Sequence, residues 1–286
     1  MNVALDYPQL DRLAGVRSIA DVPCPVCSPF HNPRRRVLRV WRGEPGSFSF
    51  KCVRCGEKGT VHHNNARPVS PRSLEALRRK ADLQSAREMA VRLSKARFLW
   101  SLRCPAVDTA VERYLRDARG YSGPIPSTVA YLPARGGYGH AMISAFGIAA
   151  EPEQGILALS DDAVTGVHLT KLNRDGSAKA EANPNKIMIG KSSGYPIVLA
   201  SPNDCLGLAV SEGIEDGLSI YQATGLGVWA AGSASRMAAL APRIPDYIEA
   251  ITIAADADPA GQSNALRLAE ALDAGGIEIF IEGLLP

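Results

Sequence analysis

Between residues 205 and 282, short apolar runs alternate with segments of helical length, and this alternation restricts the fold more than any other feature. CLGLAVSE, LGVWAAG, IEAITIAAD and IEIFIE read as strands, separated by IEDGLSIYQATG, SRMAALAPRI and PAGQSNALRLAEALDAGG as helices. Strands and helices in this order make βαβ units and a parallel sheet covered on both faces. Two of the strands end on acids. GLAVSEGIEDGLSIYQ (207–222) runs into Glu212, Gly213 and Asp216; AITIAADADPAGQ (250–262) ends on Asp256 and Asp258, followed by Pro259 and Gly261. Ligands of open α/β sheets bind outside the carboxyl ends of the strands, which is where these acids stand. Helix capping is the competing account, because acids complement the positive end of a following helix. Asp258 before Pro259 is a good N-cap with proline at the first helical position. Capping leaves Glu212 and Asp256 unexplained. Three carboxylates at one sheet edge repel unless they hold cations, and two Mg²⁺ ions about 4 Å apart are the apparatus of phosphoryl transfer.

The cysteines impose a second constraint. Cys24-Pro-Val-Cys27 and Cys52-Val-Arg-Cys55-Gly are CxxC pairs separated by 24 residues. Two thiolate pairs at this spacing close a tetrahedral Zn²⁺ site with Zn–S bonds of about 2.3 Å. Between them, RRRVLRVWRG and SFSFKC read as strands joined by the turn GEPG, so a zinc ribbon is expected. A redox pair is the rival reading, and two CxxC motifs flanking a hairpin favour zinc. Four thiolates leave no open position, so this zinc is structural. His31, His62 and His63 stand close by as substitute ligands. Cys104 and Cys205 lack partner spacing and are expected to be buried thiols.

Charge is polarised along the chain. Residues 31–103 hold 18 Lys/Arg against 5 Asp/Glu, a balance of +13, and residues 201–286 hold 3 against 12, a balance of −9. A basic front suits a polyanion and an acidic back suits divalent cations, although basic runs are also ordinary solvated surface. Arg34, Arg35, Arg36, Arg39 and Arg42 alternate with Val37, Val40 and Trp41. Arginines beside aromatic rings on a small sheet suit single-stranded nucleic acid, through phosphate contacts and base stacking. Phe48 and Phe50, on the facing strand, serve equally well as the ribbon's core. The N-terminus carries Asp6 and Asp11 rather than a basic-then-apolar signal. No run approaches the roughly eighteen apolar residues of a membrane helix, so a cytoplasmic protein with no membrane partner is expected. In that compartment cysteines are reduced thiols or metal ligands.

The expected order is a zinc ribbon at 1–61, a polar, proline-bearing linker at 62–73, an α+β middle region at 74–203 and a parallel α/β domain at 204–286. In the middle region Ala86, Met89, Ala90, Leu93, Ala96 and Trp100 recur at helical spacing on a basic helix. AVDTAVERYLRDA gives a second helix after Pro105, and GILALS and GVHLTKL read as short strands.

SEGIEDGLS and DADPAGQSNALRLA resemble the Toprim domain, the metal-binding fold of bacterial and phage primases, topoisomerases and some nucleases. Its hallmark is EGxxD after one strand and DxDxxG after a later one. Glu212, Gly213 and Asp216 match the first, and Asp256, Asp258 and Gly261 match the second. Zinc ribbon, helical and β middle region, then Toprim is the order of Toprim-type DNA primases. VERYLRDARGY, IPSTVAYLP, GVHLTKLNRDGSAK and NKIMIG resemble the middle region of their phage-type and proteobacterial branch. The resemblance implies that Glu212, Asp256 and Asp258 hold catalytic Mg²⁺ or Mn²⁺, that Glu212 doubles as general base, and that Asp216 supports the cluster. It sets Lys171, Lys186 and Lys191 in a basic region facing nucleotide or template, though each reads equally as a solvated lysine. It implies RNA priming from NTPs on single-stranded DNA in a bacterial or phage-infected cell. No complete GxxxxGKS/T phosphate loop is present, so a replicative helicase is expected on a separate chain. The family continues past its last strand into a further Asp-containing segment, and the sequence ends at Pro286, so the Toprim domain is expected to be truncated. A Toprim nuclease or topoisomerase and a non-catalytic zinc-ribbon DNA-binding replication protein are the alternatives.

Overall fold

The computed structural model of the chain describes residues 5–30, 34–43, 46–63, 71–136, 138–202, 206–273 and 276–283. It forms two compact units, Met1–Leu83 and Gln84–Pro286. Within these spans, His31, Cys205, residues 64–70 of the expected linker and the centre of the GEPG turn lie outside the described residues.

In the first unit, helix α1 (Tyr7–Ala14) starts at a capping box in which Gln9 N donates to Asp6 Oδ1 at 2.8 Å and Asp6 N donates to Gln9 Oε1 at 3.2 Å. Strands β1 (Ile19–Val22), β2 (Leu38–Gly43), β3 (Ser47–Cys52) and β4 (Lys58–His62) follow as one antiparallel sheet in sequence order. The expected hairpin is therefore its centre. Strand alternation turns Leu38, Val40, Phe48, Phe50 and Cys52 inward, where Leu10 and Ala14 of α1 cover them. Phe48 and Phe50 are thus core residues.

Helix α2 (Pro71–Ser101) extends from the first unit into the second. Of its expected apolar stripe only Ala96 and Trp100 are buried, against strands β5 (Val129–Leu132) and β6 (Ala141–Phe146) and against Val164 and Val167, while Ala86, Met89 and Ala90 are exposed. A six-residue strand spans about 20 Å and residues 84–101 of α2, the part in the second unit, about 27 Å, so the helix outruns the sheet it covers. A short α3 (Ala110–Arg113) is capped by Thr109, which accepts from Val111 N at 3.1 Å, and it runs into a π-helical turn, Tyr114–Ala118. After the hairpin β7 (Ala150–Glu153) and β8 (Ile156–Ala158), β9 (Gly166–Lys171) and β10 (Lys186–Gly190) complete an antiparallel sheet in the order β10-β9-β6-β5.

The last sheet joins β11 (Ile197–Ala200), β12 (Gly207–Ser211), β13 (Gly227–Ala230), β14 (Ala250–Ala254) and β15 (Glu278–Glu282) in the order β11-β13-β12-β14-β15. The four strands read from the sequence are parallel; β11, from the segment before 204, adds an antiparallel edge to β13. Helix α4 (Ile214–Thr224) follows β12, a 3-10 segment (Ala234–Arg243) follows β13, and α5 (Pro259–Leu272) follows β14. The stretch SRMAALAPRI was expected as an ordinary helix; Pro242 lies inside it, and the tighter 3-10 winding replaces the α-helix. Ile214 and Leu218 of α4 pack on one face of the sheet, with Met142 and Phe146 of the middle sheet in the same core. Met237, Leu240, Ala265 and Leu268 cover the other face. No described helix is long and apolar enough to cross a membrane.

Candidate active site and zinc centre

Cys24 and Cys27 follow β1, Cys52 ends β3, and Cys55 lies in the turn before β4. The four sulfurs all lie within 4.8 Å of one another. Cys24 and Cys55 are 3.9 Å apart, and Cys27 and Cys52 are 3.8 Å apart. A tetrahedron built on 2.3 Å Zn–S bonds has an edge of about 3.8 Å, so the cluster has the dimensions of a zinc site. Backbone N–H groups of Cys27 and Val26 serve the Cys24 sulfur, and those of Cys55 and Arg54 serve the Cys52 sulfur. Such donors support thiolate ligands. Burial pushes the Cys24 thiol up to about 12. At Cys52 burial acts the same way, and the hydrogen-bond donors outweigh it, bringing that thiol down to about 7. The donor set fits one structural zinc. Cys104, expected to be buried, is exposed, since its isolated bridge to Tyr131 leaves it at the margin of the sheet.

Strand alternation sets Arg39, Trp41, Ser49, Lys51, Lys58 and Thr60 on the ribbon's outward face, with Trp41 half-buried. Arg39 donates Nε and Nη2 to the two oxygens of Asp21, both at 2.7 Å. Arg42 donates to Asp11 at 2.7 Å and lies 4.5 Å from the Phe48 ring centre. Both arginines are thus engaged by acids within the first unit. Arg34, Arg35 and Arg36 are exposed.

The acids lie in the last sheet of the chain, at the ends of β12 and β14. From β12 the chain crosses α4 to β13 on one side, and β14, on the other side of β12, leads through α5 outward to β15. Neighbouring strands β12 and β14 therefore send their helices in opposite directions, which is the topological switch point where α/β sheets bind ligands. Val210 pairs with Ile253, so Glu212 follows β12 at the level where Ala255 leads into Asp256. Both motif glycines have a steric reason. A Cβ on Gly213 would collide with the Asp216 carboxylate, and one on Gly261 would lie 2.8 Å from Asp256 Cβ. The turns are thus folded tightly around the acids.

Glu212 accepts from the backbone N–H of Ala234, and Asp258 Oδ1 caps α5 by accepting from Gly261 N at 2.7 Å. Burial and then the charge of Asp256 raise the Glu212 carboxyl; burial and then the charges of Asp216 and Asp258 raise that of Asp256; Lys186 opposes both. Mutual repulsion of this kind is what a divalent cation relieves. Among the described residues the acids do not close to the 4.8 Å spacing reached by the sulfurs. Lys186 shares a sheet face with its partner Thr170 and with His168, whereas Lys171, one position along β9, belongs to the opposite face with Val167 and Leu169. Lys186 therefore bears on the acids and Lys171 projects away from that face. Lys191 is exposed, its Nζ 5.2 Å from the Tyr195 ring centre.

Sequence reasoning passed over the residues beneath α4. Glu215, between the motif acids, accepts from Lys179 Nζ at 2.8 Å and from Tyr114 OH at 2.9 Å, and Arg119 Nε donates to Tyr114 OH at 2.8 Å. Burial raises the Glu215 carboxyl, but Lys179 overrides it and holds the group down at about 2. Burial first, then the charge of Glu215, pushes the Tyr114 hydroxyl well above the usual range. A helical register would have aimed Glu215 inward, yet its partners come from segments about 40 and 100 residues away.

Residues 207–282 match the Toprim domain family. Residues 90–199 match a domain of unknown function (DUF7146). The chain thus carries a Toprim domain and, in its first unit, a four-cysteine cluster that fits a zinc ribbon. No curated protein matches the chain significantly. Among solved structures, the chain is similar to the zinc-binding and RNA polymerase domains of the Aquifex aeolicus primase at 16% identity and a TM-score of 0.43, covering 99% of this chain and 80% of that one. It is also similar to a DNA primase domain from Pseudomonas aeruginosa at 10% identity and a TM-score of 0.34, covering 53% of this chain and 47% of that one.

Proposed function

We propose that the chain is a DNA primase that synthesises short RNA primers on single-stranded DNA by nucleotidyl transfer, inside a bacterial or phage-infected cell. The observation that carries this reading is the position of Glu212 and Asp256 at the switch point of a Toprim sheet, in a chain that also holds a four-cysteine ribbon. In this reading Glu212, Asp256 and Asp258 hold Mg²⁺ or Mn²⁺, and Asp216 supports them. Bound divalent ions supply Lewis-acid stabilisation of the charge that develops on the reacting phosphate. Glu212 accepts the proton of the attacking 3′-hydroxyl, and pyrophosphate leaves as the new phosphodiester bond forms. Asp258 keeps one oxygen on its cap and offers the other to the site. Lys186 offsets the clustered negative charge and screens an incoming triphosphate from it. Arg34, Arg35 and Arg36, with Trp41, take the template strand through phosphate contacts and stacking. Arg39, engaged by Asp21, orders that face, and Lys171 serves template or nucleotide farther from the acids. A replicative helicase acts as a separate partner.

Incubation of the full chain with Mg²⁺, labelled NTPs and single-stranded DNA of varied sequence tests the reading. Template-dependent oligoribonucleotides are expected. Cleavage of the DNA without NTPs would replace the reading with that of a Toprim nuclease.

A further inference from the structure

Arg236 lies near the start of the 3-10 segment that follows β13, beside Glu212. Gly232 N donates to the Glu212 carbonyl at 2.9 Å, and Ala234, two residues before Arg236, donates its N–H to the Glu212 carboxylate. Arginine carries five donors and no acceptor, and when it is structural those donors are met by carboxylates or carbonyls. Here Nη1 reaches the hydroxyl of Ser233 at 2.7 Å, a neutral partner. Nε is buried and has no hydrogen-bond partner. A buried donor left without an acceptor costs stability, which points to an acceptor that arrives from outside.

The surroundings define what kind. Lys186, Lys179 and Arg236 all bear on His168, a fully enclosed ring on β9 whose pKa falls to about 4 through burial first and then these cations. Lys186 also bears on Glu212 and Asp256. Lys179 is taken up by Glu215, so Lys186 and Arg236 are the cationic side of this neighbourhood and Glu212 and Asp256 its acidic side. An anion that brings its own divalent cation satisfies both sides, and a guanidinium suits phosphate oxygens better than an ammonium does.

We infer that Arg236 binds the phosphates of a metal-bound nucleoside triphosphate, from the cationic side of the Glu212–Asp256 site. The inference rests on the nucleotidyl-transfer reading for its substrate class. Calorimetric titration of the zinc-loaded full chain with Mg–ATP, Mg–AMP and Mn²⁺ alone tests it. Arg236→Gln should weaken Mg–ATP about tenfold to a hundredfold, the range of a lost charge-assisted contact, and leave Mn²⁺ affinity within about twofold. Arg236→Lys keeps the charge and most of the packing but lacks the Nε donor. It should lose several-fold in Mg–ATP affinity, and it serves if the glutamine variant does not fold. Mg–ATP bound equally by wild type and Arg236→Lys, or not bound by wild type, overturns the inference. A wild type that makes no primers, with Mg–ATP binding still lost in Arg236→Gln, sinks the primase reading and leaves the phosphate contact standing. Primer synthesis by wild type with unchanged Mg–ATP binding in Arg236→Gln does the reverse.

Discussion

Replacing Lys179 by methionine should destabilise the second unit by much more than a surface ion pair would. The side chains of Glu215 and Lys179 are 10% and 23% exposed and meet at 2.8 Å. The depression of the Glu215 carboxyl from 4.5 to about 2 corresponds to roughly 3 kcal/mol at neutral pH. Removing one partner of a buried pair costs about 3–5 kcal/mol, because the other charge stays buried. Lys179→Met leaves Glu215 with the Tyr114 hydroxyl and its own backbone N–H. Glu215→Gln should cost about half as much, since Lys179 can reach water and the amide oxygen still accepts. The double variant should be more stable than Lys179→Met alone. Urea unfolding of the zinc-loaded chain reads this out by fluorescence, because Trp100 and Trp229 are buried in the second unit at 1% and 4% exposure. The pH sign is fixed. The folded pKa lies below the unfolded one, so the contribution is present above about pH 4.5 and is lost as pH falls through about 2, closing the gap to wild type. A Lys179→Met chain within about 0.5 kcal/mol of wild type at neutral pH, the behaviour of an exposed pair, would refute the reasoning.

Three further outcomes are expected. His168 is held neutral with a pKa of about 4 against 6.5 when unfolded, so stability is full above pH 6.5 and should fall by about 3 kcal/mol down to pH 4; His168→Gln should flatten that slope, and an unchanged slope counts against the burial argument. Metal analysis should find one zinc per chain, absent after Cys52→Ser with Cys55→Ser, and zinc retained in that variant would remove the ribbon assignment. Replacing Arg34, Arg35 and Arg36 together by alanine should reduce the slope of log K against log salt for single-stranded DNA by up to about 2, with a smaller change for Arg39→Ala, whose guanidinium is held by Asp21. Equal slopes in the triple variant and wild type would move the template site elsewhere.

The parallel sheet was legible because each strand is a short apolar run bounded by a turn, with an acid at two of the tips. The cysteines were legible because metal ligation fixes their spacing. Strand β11 escaped because an antiparallel edge strand carries no βαβ signal and follows a stretch rich in glycine and proline. Capping foretold half of Asp258's role, and the structure gives that carboxylate its cap while leaving it beside the acids. Arg39 and Arg42 look like template contacts in sequence because their partners come from other elements: the pairing of β1 with β2 brings Asp21 to Arg39, and the packing of α1 on the sheet brings Asp11 to Arg42. Glu215, Tyr114, Arg119 and Lys179 stayed hidden for the same reason: their meaning is a set of long-range contacts.

Whether the switch-point acids perform nucleotidyl transfer is decided by Asp256→Ala. Asp256 follows β14 beside Glu212 and the α5 cap is Asp258, so the substitution removes a proposed metal ligand without the ambiguity that the cap brings to Asp258. Template-dependent primer synthesis from labelled NTPs should fall by at least about a hundredfold, while zinc content and the unfolding midpoint stay at wild-type values. Primer synthesis undiminished in a folded, zinc-loaded Asp256→Ala chain would mean that these acids do not carry out the transfer.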